Sequence, residues 1–168
     1  MLLMLLTTQQ LKIIELAKEN YHKAKDMLDE AINILTTTDR SSLSEAFNEK
    51  GNILHEQGKY TLAIGCFKKS IKLAKKLDNY QIIAHNLQKL GFTYFIDNKW
   101  NYAIKYSQNA IEIAEKHKLT HLLNHAQQTI VRVKAKQGKH EEALQAALDA
   151  TLNFFKEVDN PTTQANNP

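Results

Sequence analysis

Residues 91–114 read GFTYFIDNKWNYAIKYSQNAIEIA, and residues 51–74, forty positions earlier, read GNILHEQGKYTLAIGCFKKSIKLA. Gly51 and Gly91, Lys59 and Lys99, Tyr60 and Trp100, Ala63 and Ala103, Ile64 and Ile104, Ile71 and Ile111, and Ala74 and Ala114 recur at that one spacing. Recurrence at a fixed period of this length is the signature of a repeat array. Forty residues further on, Gly138, Lys139, Ala143, Leu144 and Ala150 keep the turn and the start of the second element, while Val131 stands where the glycine was. Near the N-terminus, Tyr21, Ala24, Leu28, Ala31 and Ile32 repeat the second-element pattern, with Ala24 thirty-nine residues before Ala63.

The 168 residues fit one stacked array rather than two domains. Both prolines fall in the last eight positions, so nothing interrupts helices before them. Apolar spacing predicts helices over Thr7–Lys18 and Tyr21–Leu35, then a third from N-cap candidates among Thr36, Thr37, Thr38 and Asp39 to about Gln57. Five more follow: Tyr60–Lys76, Tyr80–Ile96, Trp100–Lys116, Thr120–Lys136 and His140–Glu157. No segment alternates with the period-two pattern of a strand. The units therefore run over about 2–38, 39–78, 79–118 and 119–157, and the polar tail 158–168 is expected to be disordered. A two-helix hairpin buries its apolar stripe only by stacking on its neighbours. Ala63, Ala103 and Ala143 stand where the helices of a hairpin cross, and Ile64, Ile71, Ile104, Ile111 and Leu144 are expected to fill the space between units.

The single cysteine, Cys66, cannot form an internal disulfide and reads as a buried small hydrophobe in a reducing compartment. The net charge of +4 is spread along the chain. Its densest part, Lys68, Lys69, Lys72, Lys75 and Lys76, reads as a solvated outer face, and the absence of interleaved aromatics does not point to nucleic acid. The opening MLLMLL lacks a basic region and a cleavage site and is too short for a membrane span, so a cytoplasmic chain is expected.

The repeated residues resemble the tetratricopeptide repeat family. Gly51 and Gly91 match its first-helix glycine, Leu54 and Tyr94 the large residue after it, Tyr60 and Trp100 its second-helix aromatic, and Ala63 and Ala103 the following alanine, with Phe67 and Ala110 on the remaining packing positions. The forty-residue period is similar to the longer-helix variant found in bacterial peptide-sensing regulators and some eukaryotic adaptors. Lys12 and Val131 depart from the glycine, as terminal repeats do. The resemblance covers about residues 5–157. It implies an all-α, right-handed α–α superhelical solenoid of about four helix-turn-helix repeats, whose first helices line a concave groove.

Ladders across that groove are Glu45, His85 and His125; Asn48, Gln88 and Gln128; Asn52, Phe92 and Arg132; and His55, Phe95 and Ala135. Amides both donate to and accept from a peptide backbone, and Phe92 and Phe95 offer apolar anchors, so a protein or peptide ligand is expected there. The carboxylate clamp of chaperone-binding members is not expected: beside Asn48 and Asn52 its positions would fall on Lys89, His125 and Thr129, and only Asn52 fits fully. His117, His121 and His125 are four apart, but a break at Lys118–Thr120 separates the first, and neither a metal site nor a cofactor is expected. No phosphate loop or nucleophile motif points to an enzyme. The expectation is a non-enzymatic scaffold or adaptor; the alternative is the sensor domain of a peptide-responsive bacterial regulator. Leu2, Leu3, Leu5, Leu6 and Ile13 at one end, and Leu152, Phe154, Phe155 and Val158 at the other, leave apolar end faces that an end-to-end homodimer would cover, the N-terminal one being favoured.

Overall fold

A helix of about seventeen residues and a short turn make a twenty-residue step, and the computed structural model repeats that step without interruption from residue 40 onward. The structure describes residues 20–23, 25–27, 29–30, 32 and 40–158, with the side chains of 153–158 outside that set. The helices are α1 (Arg40–Glu56), α2 (Tyr60–Lys75), α3 (Tyr80–Ile96), α4 (Trp100–Lys116), α5 (Thr120–Lys136) and α6 (His140–Val158), and the described residues between 20 and 32 are helical too. No strand occurs among the described residues. The predicted first helix, the N-cap candidates 36–39 and the tail 159–168 lie outside them.

Each turn carries one residue in the left-handed region, at twenty-residue spacing: Gly58 (φ 72), Asp78 (φ 49), Asn98 (φ 56), Lys118 (φ 56) and Gly138 (φ 76). The amide after each of these reaches back to a carbonyl of the preceding helix, as in Lys59 to Leu54 (2.8 Å), Asn79 to Ala74 (3.0 Å) and Lys99 to Tyr94 (2.8 Å). That bond and the left-handed residue end the helix and set the return angle. Glycine holds two of the five positions; at the others Asp, Asn and Lys bear the steric cost of a Cβ. The turn at 76–79 is one residue longer than the others, and there Asn79 caps α3 by accepting from the Ile82 amide at 3.1 Å.

Hairpins α1–α2, α3–α4 and α5–α6 stack in order, with α3 packed directly on α5 and α1 touching α3, so the first helices form one row. Two glycines set the crossings: a Cβ on Gly51 would stand 2.5 Å from the Phe67 ring, and one on Gly91 2.4 Å from Ser107 Oγ. In the third described hairpin the same pair is Val131 and Ala147, so the bulk has changed sides, which explains how Val131 is tolerated in the glycine position. The core joins units: Leu54, Ala63, Ile64, Phe67, Leu90, Tyr94, Ala103 and Val133 form one cluster across all three hairpins. Cys66 is buried in it.

Two expectations need correction. Leu144 does not fill a space between units; it is 64 % exposed, because among the described residues no helix follows to cover it. The lysine stripe is not free of aromatics either: Lys69 Nζ lies 5.2 Å from the Phe47 ring centroid and Lys68 Nζ 5.9 Å from that of Tyr106. The ammonium groups lie over these rings while both lysines stay exposed.

Candidate functional site

The row of α1, α3 and α5 forms an inner wall with two adjoining depressions. The first, of about 370 Å³, lies between Glu45, Asn48 and Glu49 on α1, His85 on α3 and His121 on α5. The second, of about 470 Å³, is lined by His85, Gln88, Lys89 and Phe92 from α3 and by His121, His125, Gln128 and Arg132 from α5. His85 and His121 belong to both, so the two are continuous.

Eight of the residues expected in the groove line these depressions: Glu45, Asn48, His85, Gln88, Phe92, His125, Gln128 and Arg132. Asn52, His55 and Phe95 line neither. Asn52 donates to Glu49 (3.4 Å), and Phe95 packs on the core while its ring lies 6.3 Å from Phe92. His55 is a support. Its ring stands 5.5 Å from that of Phe92, and its Nδ1 is 3.0 Å from Thr93 Oγ1. The only proton of that hydroxyl goes to the Lys89 carbonyl at 2.7 Å, so Nδ1 is the donor and Thr93 the acceptor. Phe92 therefore sits between the two polar groups that touch it, with the Arg132 guanidinium carbon 5.8 Å from its ring centroid.

The ladder Glu49, Lys89 and Thr129 was not singled out as groove wall, though the same forty-residue arithmetic reaches it. It gives the groove its polarity. Glu45 and Glu49 stand at one end; Lys89 and Arg132 stand at the other with three histidines. Neither of those two cations has a carboxylate partner among the described residues. Thr129 turns its hydroxyl back to the His125 carbonyl (3.2 Å), so it cannot serve as a ligand for a clamp. His117 caps α4 and stacks on Tyr80 at 3.8 Å. Among the described residues no three His, Cys, Asp or Glu side chains are grouped closely enough to hold a metal.

Burial holds the His55 and His85 imidazoles below their ordinary value of 6.5, and Lys89 adds to the effect on both. The folded chain thus binds fewer protons than the unfolded one below that value. Stability contributed by the neutral rings is full at neutral pH and is lost as the pH falls through the unfolded value of 6.5 towards the folded ones. The melting temperature should therefore drop between about pH 7.5 and about pH 5.5, and a His85→Gln variant should show a shallower drop in the same calorimetric scans.

Residues 42–116 match the family model described as tetratricopeptide repeat. No curated protein matches the sequence significantly. Among solved structures, BtubC (BKLC) from P. vanneervenii aligns over 89 % of this chain with a TM-score of 0.72 at 18 % identity. A Podosopora anserina protein named for the kinesin light chain, with nearly identical TPR-like repeats, aligns over 89 % with a TM-score of 0.65 at 15 % identity. The chain spans 61 % of the first of these and 72 % of the second, and at such identities the likeness concerns the fold. No described helix is long and apolar enough to cross a membrane. With the glycine-set crossings, the stacked hairpins and the matched segment in agreement, residues 42–116 carry repeats of the tetratricopeptide kind, set in a helical solenoid.

Proposed function

We propose that the protein is a non-enzymatic binding module that holds an extended segment of another protein along the α1–α3–α5 wall. The observation that carries this reading is the second depression, where a half-buried aromatic ring and two cations without carboxylate partners open onto one surface. Water-facing charge alone does not require an aromatic held in place by His55 from behind. Gln88 and Gln128 supply donors and acceptors that an extended backbone needs, and the Lys89–Arg132 end favours a segment with acidic side chains beside an apolar one.

Peptides selected on the folded protein from a display library should carry that composition and should bind in the inner row. Phe92→Ala is expected to weaken them by more than about 1 kcal/mol, and Arg132→Gln by a similar amount at low salt. Phe95→Ala should instead lower stability, because its ring belongs to the core. Amide chemical shifts that move on α2 and α4 rather than on α3 and α5 when the selected peptide is added would refute the groove.

A further inference from the structure

In each hairpin one flank is covered by the first helix of the next. Ser44, Gly51, Phe67 and Ser70 are buried on the α1–α2 flank, and Ala84, Gly91, Ser107 and Ala110, forty residues on, are buried on the α3–α4 flank. The next equivalents, Asn124, Val131, Ala147 and Ala150, line an open crevice of about 530 Å³ between α5 and α6. The crevice is thus a seat shaped for a helix. Residues 159–168, DNPTTQANNP, bring two prolines and no large apolar side chain, unlike the helices that cover the earlier flanks.

The flank is also wider than its predecessors. Leu144, Leu148 and Leu152 follow one another at a spacing of four along α6 and are 64 %, 50 % and 56 % exposed. Leu144 stands where Ile64 and Ile104 stand, but Leu148 replaces Lys68 and Gln108, and Leu152 replaces Lys72 and Glu112, all four of them exposed. A further repeat of the same kind would leave those two leucines in water, which is why its helices carry polar residues there. A partner that covers them must lie along the outer edge of α6 as well as at the crevice. Arg132, on the crevice wall, has no carboxylate partner among the described residues, and Asp149, beside the leucine stripe, has no cationic one. The element that offers both an aliphatic stripe and a carboxylate edge is α6 itself.

We propose that this end of the stack is a self-association face, on which α6 of a second copy packs parallel to α6 at the mouth of the α5–α6 crevice. A two-fold axis running alongside α6 sets Leu144, Leu148 and Leu152 of one copy against the same residues of the other and brings the Asp149 flank towards the crevice flank of its partner, where Arg132 stands. Such a contact is self-complementary and closes at two copies. It uses the opposite end from the favoured N-terminal leucines, which lie outside the described residues.

Sedimentation of the full chain at tens of micromolar should give a dimer. Leu148→Glu should raise the dimer dissociation constant by about tenfold or more while leaving helical content as it was, and also the melting temperature at dilutions where the parent is itself a monomer, since the side chain is exposed in the monomer. In a Cys66→Ala background, Leu148→Cys should form an intermolecular disulfide under mild oxidation, and Gln108→Cys, the same position one unit earlier, should not. A monomer throughout that range, a dimer indifferent to Leu148→Glu, or growth beyond two copies would each overturn the proposal. Peptide binding in the groove is measured separately, on Phe92→Ala, so failure of one does not decide the other.

Discussion

Gly51→Val should destabilise the stack by about 3 kcal/mol, and pairing it with Phe67→Ala should recover a good part of that loss rather than add to it. The Cβ of any residue at 51 meets ring carbons of Phe67 at 2.5 and 2.7 Å, and Phe67 is fully buried, so it has nowhere to turn. Phe67→Ala alone leaves a ring-sized void, at a cost of about 3–5 kcal/mol. The double variant reproduces the Val131 and Ala147 combination of the third described hairpin, in which the bulk stands on the first helix instead of the second. Its two halves should therefore show a favourable coupling of at least about 1 kcal/mol in urea titrations. Gly91 provides the contrast. A Cβ there meets Ser107 Oγ at 2.4 Å but also the Ser107 amide nitrogen at 3.1 Å and the Ala103 carbonyl at 3.3 Å. Trimming Ser107 to alanine cannot move the backbone, so Gly91→Val with Ser107→Ala should show far less recovery. Equal coupling in both pairs would mean that side-chain bulk does not set the crossings.

Much of the architecture was legible in the sequence because the period resides in residues whose role is steric. Glycine at a crossing, alanine where axes approach and isoleucine between units each tolerate few replacements, so they recur and can be counted. The helix limits followed from the twenty-residue step, and every described boundary from α2 onward falls within one residue of its prediction. Groove residues were legible only as positions. Arithmetic placed Phe92 and Phe95 on one ladder face, but a helix turns about 100° per residue, and three residues on from Phe92 the Phe95 ring has rotated onto the core. Lys89 was reached only as a clamp position and not as part of a ladder, because that ladder mixes Glu, Lys and Thr and so reads as noise. Leu148 was hidden by an opposite effect: a leucine on a helix suggests core, and only the neighbouring units' polar residues at that place show that it faces outward, beside Leu152, which the sequence already set on an end face.

Asn86→Asp should cost more than about 2 kcal/mol at neutral pH, and much of the loss should disappear as the pH is lowered. Asn86 is fully buried in α3 and joins two hairpins: its Nδ2 donates to Ser70 Oγ at 3.0 Å and to the Ile82 carbonyl at 2.9 Å. Ser70 in turn donates to the Ser44 carbonyl at 2.7 Å, and Ser44 Oγ donates to the Ser70 carbonyl at 3.0 Å. The whole chain of bonds lies between α1, α2 and α3, and neither the α3–α4 nor the α5–α6 hairpin repeats it, since alanines occupy the places of Ser70 at 110 and 150. A carboxylate of the same shape accepts but cannot donate, so both bonds from position 86 would be lost and a charge would be left in a dry contact. Protonation restores one donor and removes the charge. Burial raises the pKa of such an acid in the folded state above its unfolded value of about 3.9, so the destabilisation is full above the folded pKa and fades as the pH falls towards the unfolded one. That dependence runs against the histidine effect, in which the parent protein weakens on acidification. Denaturant titrations at about pH 7.5 and about pH 5 should thus bring the variant and the parent closer together. A gap that stays constant or widens would show that the carboxylate reaches water or a cation, and that the contact between the hairpins is not closed.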